Sequence, residues 1–96
     1  MNRQRAIDIL RRSKRELQAC FGVTRLALFG STARDAAHEG SDVDVLVAFD
    51  GPATSQRYFG VQFFLEDALG APVDLVTENA LRAELRPFVE QDLARV

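Results

Sequence analysis

Hydrophobic positions recur with a helical period from Asn2 to Cys20, where Ala6, Ile7, Leu10 and Leu17 are separated by basic residues. The spacing predicts an amphipathic helix that Gly22 is placed to end. Val23 to Phe29 is β-rich and apolar, as a buried strand is. Gly30-Ser31 then turns the chain, and Thr32 to Ala37 is short, with the length of one or two helical turns. After a polar loop over His38 to Ser41, Asp42 to Phe49 reads as a second strand. Asp50-Gly51-Pro52 is a turn, Thr54 or Ser55 caps a helix reaching about Leu69, and Gly70-Ala71-Pro72 ends it. Val73 to Thr77 is a third short strand. Asn79 is placed to cap a last helical stretch, in which Pro87 imposes a boundary near Arg86. The order αβ(α)βαβα with short loops predicts one α/β layer structure, a sheet with helices packed on it.

The helix from Thr54 to Leu69 carries more apolar surface than one sheet contact needs. Tyr58, Val61, Leu65 and Ala68 form one stripe, and Phe59 and Phe63 form a second with Phe64 beside it. The second stripe meets either the terminal helices or another chain.

Length and composition narrow the field. A chain of 96 residues is read as one domain, 1–96, with enough buried surface for one core. A net charge of −2 lacks the basic footprint of a nucleic-acid binder, so no nucleic-acid partner is expected. Cys20 is the only cysteine, which excludes an internal disulfide and a cysteine-rich zinc site and leaves Cys20 as a small packing residue. No apolar run reaches membrane-spanning length and nothing resembles a signal peptide, so a cytoplasmic protein with no membrane partner is expected. His38, alone in a polar loop, is read as a surface residue without a catalytic or zinc role.

Three features carry candidate chemistry. Asp42 and Asp44 are two apart on a strand, so both point to the face opposite Val43, Val45 and Val47. Paired carboxylates hold hard divalent ions such as magnesium, and two ions so bridged can activate an attacking oxygen and steady a leaving one. The alternative is the solvated face of an edge strand. Gly30-Ser31 permits close backbone approach, and a helix starting at Ser31 would aim N–H groups at an anion; an ordinary turn with a serine cap is the alternative. Asp74 lies within the apolar run Pro72 to Val76 and requires a metal, a cation or solvent at the strand end. Should its strand neighbour the second one, the three acids form one cluster.

Taken together, Gly30-Ser31, Ala33-Arg34, Ser41-Asp42-x-Asp44 and Asp74 after a helix resemble the DNA polymerase β-like nucleotidyltransferase superfamily, and its minimal nucleotidyltransferases most of all. The match is close over Val23 to Val76. The resemblance implies a polymerase β-like core: a small mixed sheet of at least three strands flanked by helices. It implies that Asp42, Asp44 and Asp74 hold two Mg2+ ions, that Asp74 also orients or deprotonates the attacking hydroxyl, and that Gly30 and Ser31 contact the triphosphate of ATP. Arg34 either contacts phosphate or braces the loop by pairing with an acid. Asp35 departs from the pattern, because relatives commonly carry glycine there. Larger relatives add an acceptor-binding domain, so the resemblance implies an acceptor presented by another chain or by self-association. It implies a small helical HEPN-type toxin as partner, with this chain as antitoxin adding AMP to a toxin tyrosine. A homodimer through the Phe59/Phe63 face is a further expectation. Two other readings stay open: an adenylyltransferase for a small hydroxylated molecule working with a helical partner, and a catalytically silent module that neutralises a partner by contact.

Overall fold

A computed structural model describes residues 1–38, 40–81 and 86–96. α1 (Arg3–Phe21) begins at Asn2, whose side chain accepts from the Arg5 N–H, and stops at Gly22 in the left-handed conformation (φ 71°). β1 (Val23–Phe29), β2 (Val43–Phe49) and β3 (Val73–Thr77) fall where the sequence places strands. α3 (Ser55–Leu69) is capped by the Thr54 hydroxyl and ends at Gly70.

The strand order is β3-β2-β1-β4, where β4 (Ala94–Arg95) is a two-residue strand that no sequence pattern announced. β1 runs antiparallel to β2 and β4, while β2 and β3 are parallel. α3 is the crossover helix that a parallel pair needs. Register fixes the faces. Leu26, Leu28, Val43, Val45, Val47, Val73 and Leu75 share one face and are buried together with Leu10 and Leu17 of α1 and Val61 and Leu65 of α3. The other face carries Phe29, Asp44, Leu46, Asp74 and Val76. Gly60 lets α3 cross the end of α1, because a Cβ there would overlap the Phe21 ring.

Four local expectations are corrected. The α3 stripe that packs inward is Val61, Leu65 and Leu69 with half-buried Tyr58, whose hydroxyl donates to the Leu75 carbonyl; Ala68 is exposed. Leu69 is the next turn after Leu65 and reaches the core where Ala68 does not. The predicted turn and helix over residues 30–37 become a single-turn α2 (Gly30–Ala33), closed by Asp35 at φ 57°. Thr77, not Asn79, caps the short 3₁₀ turn Glu78–Ala80, and α4 (Arg86–Asp92) starts with Pro87 in its first turn, where a missing N–H leaves no bond unmade. Residues 82–85 of that predicted last stretch lie outside the described residues. Cys20 is exposed rather than packed, since the last turn of α1 directs it away from the sheet.

The end of α2 explains the departure at Asp35. Ala36 N–H donates to the Ser31 carbonyl and Asp35 N–H to the Thr32 carbonyl, the paired bonds of a Schellman turn. Its left-handed position favours glycine, and aspartate is among the side chains that tolerate it. Asp35 also accepts from the Arg3 N–H at the start of α1 (3.1 Å), a bond glycine cannot make. Asp35→Gly is therefore expected to lower stability by under about 1 kcal/mol, and Asp35→Ala, which loses the bond and keeps the left-handed strain, by about 1–2 kcal/mol. Urea unfolding of the two variants checks the order.

Candidate active site

The parallel pairing of β2 with β3 sets Asp44 directly beside Asp74, and Asp42 lies just before β2. Asp44 is half-buried, while Asp42 and Asp74 are exposed. The Asp44 carboxyl is pushed up from 3.8 to about 6, first by burial, then by the charge of Asp74 and its hydrogen bond, and then by Asp42; Arg34 pulls in the opposite direction. Among the described residues, no three acidic, histidine or cysteine side chains are drawn into a ready metal cage. The acids feel one another's charge, and Asp44 and Asp74 lie within hydrogen-bonding reach. Hard oxygen donors whose mutual repulsion a cation would relieve fit a divalent ion.

Gly30 approaches the same carboxylate from β1. It lies opposite neither solvent nor core: Phe29 pairs with Asp44 across the sheet, and a Cβ on Gly30 would overlap Asp44 Oδ2. Its φ of +72° is also left-handed. Two independent constraints therefore exclude a side chain here. Ser31 follows, half-buried inside α2, and the cap position belongs to Phe29, which makes no side-chain cap bond. The serine hydroxyl is accordingly not used as a cap, and the ordinary-turn alternative loses its main support.

Arg34 Nη1 meets Asp92 Oδ2 at 2.7 Å, so in this structure it braces α2 against the end of α4. Thr32 was not singled out in the sequence, yet it is buried in α2 with no partner for its hydroxyl among the described residues. No pattern in the sequence distinguishes that threonine from a packing residue. His38 is exposed beside Ser41, as expected of a surface loop residue.

The model of the nucleotidyltransferase domain matches residues 9–95. The chain belongs to that family. Protein adenylyltransferase MntA of Thermococcus cleftensis is 36% identical over 89 residues, covering 93% of this chain and 90% of the relative. A solved minimal nucleotidyltransferase superimposes with a TM-score of 0.82 at 34% identity, covering 100% of this chain and 97% of the other. A complex of a tri-AMPylated Shewanella oneidensis HEPN toxin with an MNT antitoxin matches with a TM-score of 0.60 at 21% identity, covering 98% and 67%, a likeness of fold. The small mixed sheet flanked by helices is the expected nucleotidyltransferase core, and no described helix is long and apolar enough to cross a membrane.

The raised Asp44 carboxyl has a stability consequence for this nucleotidyltransferase. Its folded value of about 6 exceeds the unfolded 3.8, so its contribution is fully present below about pH 4 and is lost as pH rises through about 6. Asp44→Asn removes the repulsion and is expected to stabilise the metal-free protein at pH 8 by about 1 kcal/mol, a value reduced for the solvent that screens a half-exposed group. Near pH 3.5 the gain should vanish. Urea titrations in a chelator at both pH values check this.

Proposed function

We propose that the chain transfers AMP from ATP to a hydroxyl, a tyrosine of a cognate HEPN-type toxin, and acts as the antitoxin of that pair. The observation that carries this reading is the Asp44–Asp74 juxtaposition beside the side-chain-free approach at Gly30. The naming of a relative as a protein adenylyltransferase, and an AMPylated HEPN toxin beside an antitoxin of the same fold, support the choice of reaction and partner. Residues 1–96 are taken as one nucleotidyltransferase domain working in the cytoplasm on a protein rather than a nucleic acid.

In this reading Asp42, Asp44 and Asp74 would hold two Mg2+ ions, which would supply neutralisation of charge on the triphosphate and on the attacking oxygen. Gly30 and Ser31 present backbone N–H groups and a hydroxyl to the phosphates. Asp74, exposed at the edge of the cluster, takes the proton of the acceptor hydroxyl. The acceptor oxygen forms its bond to the α-phosphorus as the bond to the β-phosphate oxygen breaks, and pyrophosphate leaves. Arg34, tied to Asp92, contributes by holding α2 in place and by moderating the charge at Asp44. Positioning and charge neutralisation are the main catalytic terms for such a transfer.

The test is transfer of label from α-labelled ATP with magnesium, using the native complex. The wild type should label the partner protein, and Asp42→Asn with Asp44→Asn should lower the rate about a thousandfold or more. Label on a small molecule instead would replace the acceptor. Neutralisation of the partner that survives in the double variant would favour silent binding.

The exposed aromatic pair supplies a surface for such a partner or for a second copy. Phe59 and Phe63 are 50% and 66% exposed and stack with ring centres 6.3 Å apart. Phe64 turns instead toward the core. Phe59→Gln or Phe63→Gln is expected to weaken association about tenfold and to leave the unfolding midpoint nearly unchanged. Unaltered complex mass and affinity in both variants would remove this surface from the account.

A further inference from the structure

The sheet face that carries Asp44 and Asp74 continues beyond them. Side chains two apart on a strand share a face, so Leu46 follows Asp44, and register brings Ala27 and then Arg95 beside Leu46. Arg25, two residues before Ala27, belongs to the same face. These residues, with Leu93 and Glu78, line a cavity of about 380 Å³. Its floor is apolar, with Ala27 and Leu46 buried. Among its described lining side chains three are cationic, Lys14, Arg25 and Arg95, and one, Glu78, is acidic. Lys14 is tied to the Val96 carbonyl, whereas Arg25 meets Glu78 at 3.4 Å with its own side chain 71% exposed. With two residues of strand rise between them, the floor begins roughly 7 Å from Asp44. The face therefore runs from acids at one end to guanidinium groups at the other.

We propose that this cavity is the acceptor subsite of the transferase and takes a carboxylate-bearing segment of the acceptor protein, held by Arg25 and Arg95 while its hydroxyl reaches Asp44 and Asp74. The inference rests on the protein-adenylylation reading above and adds the chemistry by which the acceptor is chosen. A guanidinium fork matches a carboxylate with two parallel hydrogen bonds. The exposed Arg25–Glu78 pair is a weak one, so an incoming carboxylate exchanges with Glu78 at little loss. A basic segment meets like charge at the cavity rim. The nucleotide is the poorer occupant: its phosphates are drawn to the Gly30–Ser31 turn, and its base is uncharged and has no need of the cations.

Two fluorescent probe peptides test this, one with a tyrosine flanked by glutamates and one with the same tyrosine flanked by lysines. Binding is measured at low salt to the full chain without ATP or metal. Parallel titrations with AMP-PNP and magnesium follow the nucleotide. The glutamate peptide should bind about tenfold tighter or more. That preference should fall severalfold in Arg25→Ser and further in Arg25→Ser with Arg95→Ser, with AMP-PNP binding unchanged. Because Arg25 is exposed, the single variant keeps the test valid should a change in β4 disturb folding. Equal binding of the two peptides, or a preference that survives in Arg25→Ser, overturns the proposal. Weakened AMP-PNP binding in step with the peptide assigns the cavity to the nucleotide and also overturns it. Failure of the wild type to label any protein acceptor removes the adenylylation reading itself and is seen in the separate transfer assay.

Discussion

Two aspartates side by side on parallel strands are the constraint around which the molecule is built. Left alone, Asp44 and Asp74 repel, and the Asp44 carboxyl is pushed up to about 6 by burial first and by the charge of Asp74 next. The sheet tolerates the pair because the opposite face of the same two strands is apolar as far as Thr77 at the end of β3. Val43, Val45, Val47, Val73 and Leu75 are buried under α1 and α3, and each contributes about 1.5–3 kcal/mol of burial. That sum far exceeds the repulsion between two partly solvated carboxylates. The register cannot slip by one residue to separate them, because a slip would turn the valines out and the acids in.

The strands, their faces and the acids were legible in the sequence because a period of two is a local property. The alternation from Val43 to Val47 shows the face of Asp44 without knowledge of any neighbour. The adjacency of Asp74 was conditional, since only the strand order decides it, and a parallel neighbour is joined through a helix of fifteen residues, Ser55–Leu69. β4 was invisible for the same reason in stronger form. Two residues carry no period, and Ala94 and Arg95 become a strand only because β1 offers an unpaired edge. The Ala68 assignment failed where two adjacent helical positions competed for one buried slot and Leu69 filled it better. Asp35 looked anomalous in a one-dimensional pattern, whereas its carboxylate has a partner 32 positions away at Arg3.

The same separation of local from distant information applies to the site. Gly30 was readable as a turn, but the reason a side chain is excluded there is an oxygen of Asp44, supplied by the facing strand. Arg34 had two readings in the sequence, and the acid it pairs with, Asp92, lies near the far end of the chain where no local pattern could point to it. Thr32 was not read at all, because a buried hydroxyl with no partner among the described residues is a property of surroundings that sequence does not display.

α2 depends on local and distant contacts at once. A helix of four residues, Gly30–Ala33, has no stability of its own, since helix nucleation fixes more dihedral angles than one hydrogen bond repays. It is held from outside at both flanks of its C-terminal end. Arg34 reaches Asp92 on one side, and Asp35 reaches the start of α1 on the other. Ahead of it, Gly30 is set against Asp44. The distance between the Gly30–Ser31 turn and the acids is thus determined by two tethers to distant elements and by a core that keeps β1 and β2 in register. A turn positioned this way keeps its backbone N–H groups fixed beside the carboxylates without a long helix behind it, which is the preorganisation that the proposed phosphate contact requires.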